Sequence, residues 1–218
     1  MKKIIFTCAL SLSAFSFGQL NFNDTRIGVT VGGNYSGVSN AHRPSGPRYS
    51  FQAGGFALIP LEKSGQLFLQ PEVLYHGAGE TGRDRDFKGQ DGYNAVYANN
   101  YLSIPVYFKI YFSKTPSGFF AVAGPRFNIL INQEVKNVPR NRPWYAADYN
   151  GSSEYNGKAA GLNMAIGLGI GYSIRKEWEI IIKHDIGLTN TYKGLLKELS
   201  SRNKSEQVFS AGVSYIFK

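Results

Sequence analysis

Apolar and small or polar residues alternate without a break from Ala159 to Ile174. Leu162, Met164, Ile166, Leu168, Ile170, Tyr172 and Ile174 share one parity; Gly161, Asn163, Ala165, Gly167, Gly169, Gly171 and Ser173 share the other. Successive side chains of a strand point to opposite faces, so this run predicts one long strand with an apolar face and a small, polar face. Soluble strands usually hold about 5–6 residues. A strand that crosses a bilayer needs roughly 9–11 residues, a closed set of partners, and lipid on one side only. The pattern therefore predicts a membrane-crossing strand.

The same alternation recurs, and strands are expected over 26–35, 49–60, 66–77, 100–112, 119–131, 159–174, 179–192 and 207–217. Compact turns at Glu62-Lys63-Ser64-Gly65, Ser113 to Gly118 and Arg175-Lys176-Glu177 join some of them. Long loops near 36–48, 78–99, 132–158 and 193–206 join the others. The expected fold is all-β, an eight-stranded antiparallel up-and-down transmembrane β-barrel. Outer-membrane barrels have short periplasmic turns and long outer loops, and an even strand number places both termini in the periplasm. Lipid-facing aromatics divide accordingly into two belts. Phe112, Phe119, Tyr172, Trp178 and Phe217 are expected at the periplasmic strand ends, and Tyr35, Tyr49, Tyr75 and Tyr192 at the outer ends. The rival architecture is a secreted soluble sandwich, whose strands are shorter and whose connections do not alternate in length this way.

Lys2 and Lys3 precede the apolar stretch Ile4 to Phe17, and Gly18 stands before Gln19, the layout of an export signal. A cleaved signal peptide is expected over 1–18, with a single barrel domain over 19–218 and the outer membrane as its location. As a spanning helix the apolar stretch falls short of roughly 18 residues. Cys8, the only cysteine, lies inside it, so the mature chain is expected to have no disulfide, thiol nucleophile or thiolate metal site.

Composition looks soluble, with a mean hydropathy of −0.23 and 43% hydrophobic residues. A barrel explains that, because only alternate strand positions face lipid. The formal charge is +9, of which Lys2 and Lys3 supply two. Basic residues are dispersed and form no recognition helix or basic run, so no nucleic-acid partner is expected. Anionic headgroups or surface glycans suit that charge better. The expected partners are outer-membrane lipid and lipopolysaccharide, the barrel-assembly machinery for insertion, and envelope or secretion-complex proteins.

Alternation also assigns the inward face. Glu72, Lys109, Arg126, Glu179, Lys183 and Asp185 are expected inside the barrel, three charges of each sign. Buried charges are tolerated when paired and hydrogen-bonded, and eight strands leave an interior that side chains just fill. A charged network plugging the lumen is expected, with Arg126→Met leaving Glu72 or Asp185 unpaired. A charged ion path is the competing reading, though aqueous lumens belong to barrels of about 16–18 strands.

Other motifs carry less. Pro71, Pro105 and Pro125 interrupt three successive strands and are expected at bulges or bends. Gly167-Leu168-Gly169-Ile170-Gly171 has the wrong glycine spacing for a dinucleotide fingerprint and opens no helix. Asp84, Asp86 and Gly89 imitate a calcium loop, but Lys88 takes a ligand position and Ala95 replaces the closing Glu. His42, His76 and His184 are the only histidines; His184 is expected to face lipid, opposite the adjacent Asp185. No catalytic residue, cofactor site or metal site is assigned, and the chain is not expected to be an enzyme. A lipid acyltransferase or deacylase built from loop residues is the weakest alternative. The loop 132–158 carries Arg140, Arg142, Trp144, Tyr145, Tyr149 and Tyr155, the aromatic and arginine content of a partner-contact surface.

Four segments carry a family resemblance. They are Tyr101-Leu102-Ser103-Ile104-Pro105-Val106-Tyr107-Phe108-Lys109, Ala121-Val122-Ala123-Gly124-Pro125 followed by Arg126, Gly187-Leu188-Thr189-Asn190, and the final strand Phe209 to Phe217. In these the chain resembles the PorT-like outer-membrane β-barrel proteins of Gram-negative bacteria, over essentially the whole mature length. The resemblance implies an eight-stranded barrel and, after the family's namesake, a place in type IX secretion. The expected function is a structural or accessory barrel with a filled, non-conducting interior that presents loops to envelope partners. A small passive channel is the alternative.

Overall fold

The computed structural model describes residues 24–41, 45–82, 95–113, 117–137, 158–193 and 203–217. Its strands are β1 (Arg26–Val38), β2 (Ser45–Pro60), β3 (Leu67–Gly82), β4 (Val96–Tyr111), β5 (Gly118–Lys136), β6 (Lys158–Ala159), β7 (Leu162–Ile174), β8 (Trp178–Gly187), β9 (Tyr192–Lys193) and β10 (Glu206–Ile216). Eight of them close an antiparallel up-and-down barrel in the order β1-β10-β8-β7-β5-β4-β3-β2. Closure is what a bilayer demands, because hydrocarbon offers backbone N–H and C=O groups no partner. The seam runs from Gly28 opposite Ile216 to Val38 opposite Glu206. β6 and β9 form a separate two-stranded sheet.

The strands are staggered. Stepping across the wall from Leu162 through Ile129, Leu102, Tyr75, Ala53, Val31, Val213 and Ile180 returns to β7 at Tyr172, ten residues along the strand. At about 3.3 Å per residue and about 4.8 Å between strands, this tilts the strands by about 41°, inside the usual 35–45° window. The result is a narrow barrel whose inward side chains from opposite walls meet.

Parity sorts the faces. On β7, Leu162, Ile166, Ile170 and Ile174 point outward, while Asn163, Ala165 and Ser173 are buried inside. At the end with short turns, the turn end, Phe112, Phe119, Tyr172, Trp178 and Phe217 are exposed on the outer surface. At the other, the loop end, Tyr35, Tyr49 and Tyr75 are exposed. Edge-to-face contacts of Tyr35 with Tyr49 (5.3 Å) and of Phe119 with Tyr172 (5.0 Å) tie adjacent strands together within each belt. Tyr192 departs from expectation. It is 2% exposed and belongs to β9, not to a lipid-facing belt, because β8 ends at Gly187 and the chain turns over the barrel mouth.

Several strands run further than the hydrophobic pattern indicated. β2 begins at Ser45, β3 continues to Gly82, β4 starts at Val96 and β5 ends at Lys136. The pairings Ser45 with Gly82 and Val96 with Lys136 continue beyond the belt. The apolar alternation ends where lipid ends, but hydrogen bonding between strands does not, so the loops near 36–48, 78–99 and 132–158 are shorter than expected. Ala159, expected in the long strand that became β7, belongs to β6.

Turn chemistry is local. Between β7 and β8, Arg175 (φ 53°) and Lys176 (φ 65°) are both left-handed, and Glu177 N–H donates to the Ile174 carbonyl at 3.2 Å. Positive φ at both central residues marks a two-residue hairpin whose twist suits the strands it joins.

Pro71, Pro105 and Pro125 do not sit at bulges. Register shifts fall between Pro47 and Gln52 and between Asn100 and Tyr101. At Pro71, Pro105 and Pro125 the register is kept and the ladder simply skips residues, for instance between Pro71 opposite Val106 and Leu74 opposite Ser103. A missing N–H removes a bond without adding a residue. Beside these gaps the backbones approach closely. A Cβ on Gly54 would lie 2.1 Å from the Val73 carbonyl, and one on Gly124 the same distance from that of Val106.

Candidate functional site: the barrel interior

Inward-facing positions of all eight walls meet along the axis, and their chemistry changes from the turn end to the loop end. Nearest the turn end, Lys109 of β4 and Glu179 of β8 form an ion pair at 2.5 Å. The Tyr111 hydroxyl donates to the other Glu179 oxygen at 2.5 Å. The Lys109 ammonium lies 4.1 Å from the centroid of Phe120 and 5.0 Å from that of Tyr111, so aromatic faces replace part of its hydration. Phe56, Leu58, Phe68 and Ile216 close the apolar cluster around it.

One level further, Lys183 of β8 reaches Glu72 of β3 at 3.4 Å, and Gln70 Nε2 donates to the other Glu72 oxygen at 2.6 Å. Beside them Arg126 of β5 meets Asp185 of β8 at 2.8 Å, with the Tyr107 hydroxyl donating to Asp185 at 3.4 Å. All six charged residues assigned inward from the sequence are within 3% of complete burial, and the structure brings them together as three pairs of opposite sign. Each pair bridges β8 to a strand on another part of the wall.

Space for these side chains comes from the small face of β7. A Cβ on Gly167 would meet Asp185 and Tyr107, one on Gly169 would meet Lys183 and Val122, and one on Gly171 would meet Phe120. The glycine run is therefore the complement of the bulky residues opposite it.

Toward the loop end the interior becomes neutral and polar. Arg126 Nη1 lies 3.2 Å from His76 Nδ1, and Nη2 donates to Gln52 Oε1 at 3.4 Å. Guanidinium nitrogens only donate, so the ring nitrogen facing them accepts. Asn34 Nδ2 donates to the Gly77 carbonyl at 2.8 Å, and Ser103 donates to Asn128 at 2.7 Å. His76, Gln52 and Asn34 were not assigned from the sequence. The parity that placed Glu72 inside also places His76 there, four residues along the same strand.

At the mouth, Asn99 Nδ2 donates to the Tyr192 hydroxyl at 3.3 Å, and the Tyr97 and Tyr192 rings meet edge to face at 6.2 Å. Val38, Ala41, Ala95 and Ala159 complete this apolar cap. Glu80 and Glu206 are buried beneath it. Burial, and then the carboxylates of Glu80 and Glu206, push the Tyr192 phenol well above its usual range, so it stays a neutral hydroxyl. Burial alone pushes the Lys204 ammonium below its usual range. Below the cap, His76, Asn128, Asn163, Asp185, Thr191 and Glu206 line a cavity of about 10 Å³, room for about one water molecule.

On the outer surface, His184 stacks on Phe209 with centroids 4.0 Å apart and planes 3° from parallel, and its Nε2 lies 3.1 Å from Gln207 Oε1. Among the described residues no three His, Cys, Asp or Glu converge. Residues 1–18, His42, the loop residues Asp84 to Gly89, and Arg140, Arg142, Trp144, Tyr145, Tyr149 and Tyr155 lie outside the described residues.

Comparison with known proteins gives the architecture a family. Ail, the attachment invasion locus protein of Yersinia pestis, solved with the heparin analogue sucrose octasulfate, is 8% identical. The match spans 88% of this chain and 99% of Ail, with a TM-score of 0.45. Neisserial surface protein A is 13% identical over 88% of this chain and 97% of its own, TM-score 0.45. The N-terminal β-barrel domain of Pseudomonas aeruginosa OprF is 13% identical over 87% and 97%, TM-score 0.38. A search of curated protein sequences finds no match. The model of the outer membrane protein beta-barrel domain matches residues 17–193, most of the chain, and the protein belongs to that family of outer-membrane barrels.

Proposed function

We propose that this outer-membrane protein is a non-conducting structural or accessory barrel that presents its loop end to other envelope components. The observation that supports this most is the set of three buried ion pairs, Lys109 with Glu179, Lys183 with Glu72 and Arg126 with Asp185, packed against Tyr107, Tyr111 and Phe120 across a narrow lumen. Moving an ion past them requires separating charges that have no water to turn to, and breaking one buried pair costs about 3–5 kcal/mol. In this reading the termini and the turn end face the periplasm, the loop end faces outward, and lipopolysaccharide contacts the outer belt. Insertion proceeds through the barrel-assembly machinery, after removal of residues 1–18. Arg140, Arg142, Trp144, Tyr145, Tyr149 and Tyr155 supply the contact loop. The PorT-like resemblance points to a secretion-associated assembly, type IX in particular. No nucleic acid or cofactor enters this reading, and a lipid-modifying reaction has no assigned catalytic group.

Two measurements test it. In planar bilayers the purified barrel is expected to give no discrete conductance steps; regular steps that change with Lys183→Gln would replace the accessory reading with the small channel. Affinity purification from outer membranes in mild detergent is expected to recover a stoichiometric set of envelope proteins. Recovery of the barrel alone would remove the accessory role.

A further inference from the structure

Glu206, the first residue of β10, stands where the wall meets the aromatic cap. Across the seam it faces Val38, three residues past the row in which Phe209 faces Tyr35, so it lies beyond the outer belt. The residue is 6% exposed. Its side chain accepts hydrogen bonds from Asn99 and the Gly79 N–H, yet one oxygen, Oε1, has no donor. Burial pushes this carboxyl from an ordinary 4.5 up to about 8; the Glu80 carboxylate adds to the rise, while Asn99, Arg48 and the Gly79 N–H oppose it.

The cap hangs from the same place. Asn99 Nδ2 donates to the Tyr192 hydroxyl at 3.3 Å, so one amide side chain touches both Glu206 and the cap. Two residues before Glu206, the Lys204 carbonyl accepts from the Thr191 N–H and the Lys204 N–H donates to the Asn190 side-chain oxygen, each at 2.8 Å. The Ala160 N–H donates to the Thr191 carbonyl at 2.8 Å and carries the tie on to the chain that follows β6. Thr191 is 1% exposed, its hydroxyl has no partner, and it lines the same one-water cavity as Glu206. Buried polar atoms in native proteins are almost always satisfied. A proton on Glu206 turns an acceptor that lacks a donor into a donor, and the Thr191 oxygen, directly or through the one water the cavity holds, is there to accept.

We propose that Glu206 is a proton-operated latch on the barrel mouth: as a neutral carboxylic acid it holds the cap of Tyr97, Tyr192 and Ala159 down, and on giving its proton to the medium it lets the cap lift. An ionised Glu206 calls for water that the closed mouth has no room for, and water enters only where Thr191 and Tyr192 give way. The groups that act on it are Arg48 of β2, Glu80 of β3, Tyr101 of β4 and Tyr192 of β9. His76 of β3 and Asp185 of β8 share the cavity, where both lie against Arg126, and Lys204 precedes Glu206 on its own segment. Glu80 is thus the other carboxyl with which the proton can be traded.

The test uses the mature chain folded in detergent, with the NMR signals of the Ala160 and Thr191 amides followed as the pH is raised. Both are expected to move through one transition at a pH of about 8, and their exchange with solvent, corrected for its intrinsic pH dependence, to accelerate above it. Stability is expected to fall as the pH rises from about 4.5 through about 8 and then to level off, because the folded barrel keeps a proton that the unfolded chain has given up. Glu206→Gln keeps the shape of the acid but has no proton to lose, so the transition is expected to vanish and both amides to stay protected. Glu80→Gln removes a like charge and is expected to lower the midpoint by about one pH unit, whereas Lys204→Met is expected to keep the transition. No transition in the unaltered protein, one that survives Glu206→Gln, or one that Glu80→Gln or Lys204→Met abolishes overturns the proposal. If Glu206→Gln does not fold, the midpoint in Glu80→Gln decides: a fall supports the latch, and an unchanged value or a lost transition overturns it.

Discussion

Arg126 and Asp185 meet at 2.8 Å inside the barrel, each side chain within 3% of complete burial, and each is held by further groups: Arg126 by Gln52 and His76, Asp185 by Tyr107. Arg126→Met therefore strands Asp185 rather than Glu72, which keeps Lys183. The substitution is expected to destabilise the barrel by about 3–5 kcal/mol, whereas Arg126→Met with Asp185→Leu is expected to recover most of that loss. Reversible urea unfolding from detergent, followed by tryptophan fluorescence, measures both. Equal losses in the single and double variants would show that the pair does not act as a unit.

Tyr111 donates to Glu179 at 2.5 Å while Lys109 holds the other oxygen. Tyr111→Phe keeps the ring between Phe68 and Phe120 and deletes only the hydroxyl. A hydrogen bond to a charged group contributes about 1.5–3 kcal/mol, so a loss of that size is expected in the same unfolding experiment. A neutral result would mean that Lys109 alone satisfies the carboxylate.

Gly124 and Gly33 offer a contrast at a single methyl group. A Cβ on Gly124 would stand 2.1 Å from the Val106 carbonyl, whereas one on Gly33 meets nothing within 4 Å. Gly124→Ala is expected to lower the yield of heat-modifiable, folded barrel on gels, because neither backbone can retreat without breaking the ladder. Gly33→Ala is expected to fold normally. Equal folding would show that the strands beside Pro125 are freer than their geometry implies.

Trp178 lies on the outer surface at the turn end, ring to ring with Tyr215 at 4.8 Å. With Trp144 replaced by Phe it is the only tryptophan left. In vesicles its emission is expected to be quenched by nitroxides near the headgroup and hardly at all by those at the chain ends, as befits an interfacial belt. Stronger quenching at the chain ends would move the belt, and the membrane, relative to the barrel.

How much of this was legible in the sequence follows from what carries each signal. Strict parity from Leu162 to Ile174 reflects lipid on one face and side chains on the other, so the strands, their order and the inward residues could be read from it. The same parity ran through His76 and Glu80 and would have placed them inside too. It was lost where lipid ends: β5 continues through Glu134 and Lys136 with both side chains exposed, and nothing in that composition demands a strand. Tyr192 misled for a related reason. An aromatic residue at the end of an alternating run has the composition of a belt, but the turn after Gly187 carries it over the mouth. Partner choice within the charge network was not legible either. Asp185 faces Arg126 rather than Lys183, two residues away on the same strand, because the stagger of the wall sets which side chains share a level.

That stagger closes on the seam between β1 and β10, the two strands furthest apart in the chain. β1 lacks its second neighbour until β10 is made. A chain ending before Glu206 would leave β1 and β8 with open edges in hydrocarbon, where each bare N–H and C=O costs several kcal/mol. The ribosome finishes the last strand long after the first, so the early strands wait, with their edges shielded from one another and from other chains, until β10 arrives. Closure of this wall therefore waits for β10, and a stop before Glu206 forfeits it.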